Sequence, residues 1–393
     1  MAVPVNGQLP PLVEPGPPLS VEQRARYARH LTLASVGEIG QRRLLAANVA
    51  VVGAGGLGSP VLLYLAAAGV GRITVLDDDV VDESNLQRQV LHPRDAIGTY
   101  KVDSARERLS ALNDDVLVRA RHLRLDASNA LDVLTGHDLV IDGSDNLATR
   151  YLVDDACSLL GVPLVWGAID RFDGQVSVFW QGHGPTYRDL HPVPPPPGTV
   201  PNCAEAGVVG ALCGVIGSVM ATEAVKLITG AGRPLLGRVL VHDALAATWR
   251  ELRLRPDPTR EPVTAIVPTA DETCAVPGAV ESLDAEGLDS RLAARAAGSD
   301  AFVLVDVREP AELAAGAVPG SVNVPLSVLS APDGVSSVTS LPAAADGVVV
   351  YCASGVRSAA AVALLREAGV DAVHVAGGYR AWRSRPAGSG ARG

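Results

Sequence analysis

The sequence predicts an α/β protein of two domains, each built on a mostly parallel sheet. Three observations carry this. Short runs of β-branched residues alternate with helical segments from about residue 48 to 180 and again from 302 to 375, the rhythm of parallel strands joined by helical crossovers. A glycine cluster, Gly53-Ala54-Gly55-Gly56-Leu57-Gly58, joins the first such strand to a helix. A stretch rich in Pro and Thr at 255–277 parts the two patterns. A chain of 393 residues exceeds one ordinary domain, and 48% apolar with 19% charged residues supports a sizeable core rather than global disorder. The formal net charge of −10 argues against non-specific nucleic-acid binding, while local cations remain able to hold anionic substrates.

The Pro-rich residues 1–19 lack a basic segment followed by an apolar one, so they are expected to be a disordered tail and not a signal peptide. Ser20 suits the N-cap of a basic helix, VEQRARYARHL. Residues 48–52 (NVAVV) read as a buried strand. The helix after the glycines has Pro60 in its first turn and Gly69 at its C-cap. Residues 72–76, 116–121, 138–142, 163–166 and 175–180 extend the sheet. The Pro-rich stretch 187–201 is expected to be an irregular excursion. No charged residue occurs from 206 to 222, but Gly207, Gly210, Gly214 and Gly217 favour a closely packed buried helix over a membrane span. Residues 238–242 and 249–254 resume structure. The second pattern has strands at 302–307 and 347–351, the latter ending at Cys352, and then a helix at 357–369. The expected domains are 20–255 and 283–386, with a linker at 256–282 and a disordered tail at 387–393.

Five cysteines, Cys157, Cys203, Cys213, Cys274 and Cys352, form no C-x-x-C pair. That excludes a zinc ribbon, disfavours a disulfide scaffold and fits a reducing, cytoplasmic setting.

The glycine loop lets backbone approach phosphate, and the helix that follows turns its N–H groups toward an anion. Gly53, Gly55, Gly56 and Gly58 are therefore nucleotide-binding candidates, with Asp77 at the end of the next strand as a ribose ligand. Alone, this leaves NAD and ATP both open. Asn85, Arg88 and Lys101 suit a triphosphate; a solvated helix face is the other reading. Asp145, in Asp142-Gly143-Ser144-Asp145-Asn146, either holds Mg²⁺ or caps the next helix. In the second domain, Cys352-Ala353-Ser354-Gly355-Val356-Arg357-Ser358 places a thiol where loop N–H groups and a helix start favour an anion. Arg357 is a candidate to hold the charge of a sulfur donor. A phosphatase loop, which also pairs a cysteine with an arginine a few residues on, stays open for Cys352 and Arg357.

RYARHL at 26–31, GAGGLG, LDDDVVDESNLQRQ at 76–89, Lys101, DGSDN and CAEAGVVGALCGVIGS together resemble the MoeB/ThiF adenylyltransferases, relatives of the ubiquitin-activating enzymes, over residues 20–255. Asp306-Val307-Arg308-Glu309-Pro310, GAVPGSVNVP at 316–325, the Cys352 loop and Gly377-Gly378-Tyr379 with Trp382 resemble rhodanese domains over 283–386. The whole chain resembles MoeZ-type fusions of the two. The resemblance implies a Rossmann-like adenylation domain followed by a small α/β rhodanese domain. It implies that ATP and Mg²⁺ adenylate the C-terminal glycine of a small β-grasp sulfur carrier ending in Gly–Gly. It further implies a persulfide on Cys352, supplied by thiosulfate or a cysteine desulfurase, that yields a thiocarboxylate. Carried over by position, Gly56 belongs to the nucleotide loop, Asp77 to the ribose, Arg88 and Lys101 to the phosphates and Asp145 to the metal. Arg29 is an arginine given by the other subunit of a homodimer, and Cys203 is the crossover-loop cysteine. Members of this family often bind zinc through two C-x-x-C pairs. Here the first position reads Thr186-Tyr187-Arg188-Asp189 and no second pair lies near Arg255. No zinc is expected, and the Pro-rich segment is expected to stiffen the region. No nucleic acid or membrane partner is expected. Two other readings stay open: an activator that holds its partner on Cys203 as a thioester, and an NAD-dependent oxidoreductase with a sulfur-carrier domain.

Overall fold

The computed structural model describes residues 9–193, 207–266, 282–331, 333–353 and 355–384. They form two compact units that divide at residue 272.

The N-terminal unit is an eight-stranded sheet. Its strands are β1 (Asn48–Val52), β2 (Arg72–Leu76), β3 (Leu117–Arg121), β4 (Leu139–Asp142), β5 (Leu164–Asp170), β6 (Asp173–Phe179), β7 (Arg238–Asp243) and β8 (Thr248–Arg253), in the order β3-β2-β1-β4-β5-β6-β7-β8. The first five are parallel, with Val49 opposite both Ile73 and Leu139. The last three are added antiparallel through β5–β6. β1 and β4 are nearly all buried because helices cover both faces, which is why they read as continuous apolar runs. The chain runs outward from β1 to β3 and then returns to β4 beside β1. The carboxyl ends of β1 and β4 therefore flank a topological switch point, where open α/β sheets bind ligands.

The short helices α1 (Val21–Arg26) and α2 (Ala28–Leu31) replace the single basic helix expected after Ser20. They break at Tyr27, which is buried and donates its hydroxyl to Asp115. Helix α3 (Gly37–Ala46) follows. The helix after the glycine loop is α4 (Gly58–Ala68), and α5 (Lys101–Leu112) precedes β3. Helices α6 (Ala130–Leu134) and α7 (Leu147–Leu160) flank β4. A short α8 (Tyr187–Leu190) and the long α9 (Gly210–Thr229) complete the unit. Helix α9 is long and apolar enough to cross a membrane. Here Leu212, Ile216, Met220, Ala224 and Leu227 bury one face in the main core cluster. A Cβ on Gly217 would overlap Pro60 of α4, so glycine lets the two helices touch backbone to ring.

Three boundaries differ from expectation. Residues 9–19 are not a loose tail: Leu9, Val13 and Leu19 are buried, and the Leu12 N–H donates to the Leu227 carbonyl at 3.0 Å. Apolar residues spaced among the prolines suffice to seat an extended segment. Residues 187–190 are helical because Thr186 and Asp189 make a capping box; residues 194–206, with the rest of the proline run, lie outside the described residues. The expected linker does not begin free at 256. The Asp189 carboxylate accepts from the Asp257 N–H at 3.0 Å and from Arg260 at 3.0 and 3.1 Å, and Arg260 also donates to the Thr186 hydroxyl at 2.9 Å. At the first family zinc position, an ion pair ties the two segments together.

The C-terminal unit is a five-stranded parallel sheet. Its strands are β9 (Ser282–Leu283), β10 (Val303–Asp306), β11 (Ser321–Asn323), β12 (Val348–Tyr351) and β13 (Ala372–Val375), in the order β11-β10-β12-β13-β9. Ser282 thus belongs to this sheet and not to a linker. Helices α10 (Ala285–Ala296), α11 (Leu326–Leu329), α12 (Ser336–Thr339), α13 (Val356–Glu367) and α14 (Gly378–Ser384) pack around it. The central β12 ends where Cys352 begins.

Candidate active sites

In the N-terminal unit the glycine loop leaves β1 at Gly53, whose φ of +90° suits glycine. A Cβ on Gly58 would overlap the Gly53 carbonyl, and one on Gly53 would press on Gly143 at 3.2 Å. The loop therefore lies against the Asp142–Gly143–Ser144 turn after β4. A Cβ on Gly55 would meet only Gln89, at 3.7 Å, so the face of the loop at Gly55 is open. That open face, at the start of α4, fits an approaching phosphate.

Asp77 ends β2. Its Oδ2 accepts the Ala54 N–H at 2.8 Å and its Oδ1 the Asp79 N–H at 2.9 Å. Burial raises the Asp77 carboxyl above the usual range, against the pull of Lys101 and these two N–H groups. Lys101 is 6% exposed and reaches Asp79 at 2.7 Å. It is the first residue of α5, where a cation opposes the helix dipole. A buried lysine in that place makes sense beside an anionic ligand. Arg88 lies 3.7 Å from where a Gly56 Cβ would stand and donates to the Ser84 carbonyl at 3.1 Å. Asn85 closes a short 3₁₀ turn from Glu83 to Asn85 in the same segment. The structure thus gathers Gly53, Gly55, Gly56, Gly58, Asp77, Arg88 and Lys101 around the switch point.

In the turn after β4 the helix cap falls on the asparagine. Asn146, not Asp145, caps α7, its Oδ1 accepting the Thr149 N–H at 2.8 Å. Asp145 stays exposed at the mouth of the β4 turn. Arg29 is exposed on α2. Cys203 lies outside the described residues.

Two residues had no motif to announce them. Arg150, one turn into α7, donates to the Ser144 carbonyl at 3.3 Å and lies 5.9 Å over the Trp166 ring. Beside it, burial raises the Asp142 carboxyl, which Arg150 counteracts. His92 is buried, with Nε2 2.8 Å from the Ala54 carbonyl and Nδ1 2.9 Å from the Ser104 hydroxyl. A histidine nine residues before Lys101, in QVLHP, carries no recognisable chemical pattern.

In the C-terminal unit Cys352 is fully buried, and its sulfur accepts the Gly355 N–H at 3.1 Å. Gly355 has φ +101° and caps α13, so the chain turns back to aim the Gly355 N–H at the thiol. The Gly355 carbonyl is held in turn by the Ser358 hydroxyl at 2.9 Å. Arg357 makes a bidentate pair with Glu312 at 2.7 and 2.8 Å. Burial would raise the Glu312 carboxyl, but Arg357 outweighs it and holds the group below the usual range. Arg308 of the DVRE motif is buried and forks onto Asp306 at 2.6 to 3.0 Å. It lies 4.4 Å over the Tyr379 ring, so that motif builds the unit and leaves the chemistry to the Cys352 loop.

Comparison with known proteins gives the same division. The ThiF family matches residues 27–263 and the rhodanese-like domain matches 289–385. The chain is 48% identical over 394 residues to a probable adenylyltransferase/sulfurtransferase MoeZ of Mycobacterium tuberculosis, covering 96% of this chain and 97% of that one. It is 54% identical to a sulfur carrier protein adenylyltransferase of Thermus thermophilus, over 64% of this chain and 94% of the relative. It is 39% identical to the adenylyltransferase and sulfurtransferase MOCS3 of Aedes aegypti, over 93% of this chain and 87% of the relative. Among solved structures, E. coli MccB with MccA-N7isoASN shares the fold, with a TM-score of 0.55 and 20% identity, over 61% of this chain and 74% of that one.

Proposed function

Because the chain belongs to the ThiF family and ends in a rhodanese-like domain, it is an adenylyltransferase and sulfurtransferase, and we propose the order in which its two sites act. The first site activates the C-terminal glycine of a small β-grasp sulfur carrier. A carboxylate oxygen attacks the α-phosphorus of ATP, the bond to the β-phosphate oxygen breaks, and pyrophosphate leaves with an acyl-adenylate formed. The reacting groups are all anionic, so catalysis needs cations placed beforehand. Arg88 and Lys101 supply them, the Gly55–Gly58 N–H groups cradle phosphate, and Asp77 and Asn85 hold the nucleoside side. Asp145 is the residue for Mg²⁺, which when bound neutralises phosphate charge. Arg29 serves the neighbouring site of a homodimer.

The second site delivers sulfur. The outer sulfur of a Cys352 persulfide attacks the acyl carbon, AMP leaves, and the carrier is joined to Cys352 through an acyl disulfide. The Cys203 thiolate then attacks the Cys352 sulfur. The carrier departs as a thiocarboxylate, leaving a Cys203–Cys352 disulfide for a cellular thiol to reduce. Adenylation is needed because AMP is a far better leaving group than oxide. Thiosulfate or a cysteine desulfurase recharges Cys352. The cytoplasm is the setting, without nucleic acid or membrane as partner.

The observation that carries this reading is the convergence of Lys101, Arg88 and the open glycine loop at one switch point, on a chain whose other sheet ends its central strand in a thiol. The test incubates the enzyme with ATP, Mg²⁺, thiosulfate and a glycine-tailed carrier, and follows pyrophosphate exchange together with intact carrier mass. Cys352→Ala is expected to keep carrier-dependent exchange and make no thiocarboxylate. Thiocarboxylate formed by that variant at the parental rate would refute the order.

A further inference from the structure

The backbone of Ala54, in the glycine loop, is held on both of its flanking peptide planes. Its N–H goes to Asp77 Oδ2 at 2.8 Å and its carbonyl meets His92 Nε2 at 2.8 Å. A carbonyl only accepts, so Nε2 is the protonated nitrogen, and in the neutral ring Nδ1 accepts from the Ser104 hydroxyl at 2.9 Å. Ser104 stands one turn into α5, the helix that opens with Lys101. One imidazole therefore joins the backbone that would cradle phosphate to the helix that carries the phosphate-facing lysine. The ring is 5% exposed, too deep to touch a substrate. Burial, with Lys101 acting the same way, keeps it below the ordinary imidazole range, against the Ala54 carbonyl.

We propose that His92 is a positioning residue for the nucleotide, setting the direction of the Gly55 N–H, which shares a peptide plane with the Ala54 carbonyl, relative to Lys101 by bridging Ala54 and Ser104. The inference rests on the reading of this site as an ATP site. Glycines give the loop freedom, and freedom is costly where N–H groups must point at one anion. Asp77 fixes the Gly53–Ala54 plane; without a donor to the Ala54 carbonyl, the next plane, which carries the Gly55 N–H, can rotate about its flanking bonds. Glutamine can place an amide N–H near the position of Nε2 and so keep the Ala54 bond. Phenylalanine fills the same volume with no donor and leaves the carbonyl buried and unmatched.

The experiment compares the parent with His92→Gln and His92→Phe in the full-length protein, by equilibrium binding of labelled ATP and by carrier-dependent pyrophosphate exchange. Phenylalanine is expected to raise both the ATP Kd and the KM for ATP by about tenfold, the scale of a lost hydrogen bond with an orphaned buried carbonyl. The kcat and the KM for the carrier should hold within about threefold, and glutamine should restore ATP affinity to within about threefold of the parent. Sulfur loading of Cys352 should not change in either variant. Parental ATP affinity in His92→Phe overturns the inference, as does a glutamine variant as weak as the phenylalanine one. If His92→Phe does not fold, Ser104→Ala replaces it, with about a two- to fourfold loss of ATP affinity expected and no loss overturning the proposal. A parent that binds no ATP would instead overturn the nucleotide reading itself.

Discussion

Gly58 shows how a single atom decides the first site. A Cβ there would collide with the backbone oxygen of Gly53, which cannot swing aside as a side chain would. Gly58→Ala is therefore expected to displace the loop and lower pyrophosphate exchange about a hundredfold, the usual consequence of an ångström-scale misplacement, while Cys352 still accepts sulfur from thiosulfate. Equal losses in both assays would mean general unfolding instead. Asp154 offers a second residue-scale expectation. Burial pushes its carboxyl up to about 7, against the Tyr187 N–H that it accepts at 2.9 Å. The folded state then binds a proton that the unfolded chain releases near pH 4, so this group favours folding at low pH and its contribution is lost as pH rises toward 7. Asp154→Asn keeps the Tyr187 bond and removes the charge. Its advantage in melting temperature over the parent should be smallest at or below about pH 4, grow as pH rises from there to about 7 and level off above; a constant offset across that range would contradict the assignment. At this scale the sequence was legible wherever a residue type is scarce for a chemical reason. Glycines at a strand end, an acid one strand later and a thiol before a helix were each readable. His92 and Arg150 were not, since their value lies in the Ala54 carbonyl and the Trp166 ring, which no local spacing ties to them.

At the scale of elements, strands and the glycine-loop helix were readable from apolar runs and capping residues, whereas segments held by single long-range contacts were not. Residues 9–19 carry too few apolar positions to show a period, yet Leu9 and Val13 join the main core. The 257–260 stretch looks like a linker because its one strong anchor, Arg260 on Asp189, depends on a capping box some seventy residues earlier. Asp189 has a side chain only 1% exposed, so removing its partner leaves a buried charge. Burial would raise Asp189, but Arg260 and the N–H groups of Asp257 and Thr186 hold it low. Arg260→Met is expected to destabilise the N-terminal unit by about 3 kcal/mol, measured by urea unfolding. A loss below about 0.5 kcal/mol would place the pair among ordinary surface contacts.

For the whole molecule, two sheets with separate cores predict two unfolding events. Saturating ATP should raise only the transition that reports on the first unit, by linkage between ligand and folded state. Calorimetry with Cys352→Ala as the assayed protein would show it, and an upward shift of both events in step would contradict the expectation. The two-domain division and the fold class of each part were visible in composition and rhythm, because alternating strands and helices repeat on both sides of a proline-rich break. The strand order was not, and in the second sheet it has a consequence for biosynthesis. β9, the first strand of that sheet to be translated, pairs with β13, the last, through Ser282 and His374. That edge can close only after residue 375 has been made, whereas the first sheet already has its full complement of strands by residue 253. A nascent chain is therefore able to acquire its nucleotide pocket well ahead of its sulfur-handling half, and a prematurely terminated product would inherit only the earlier of the two.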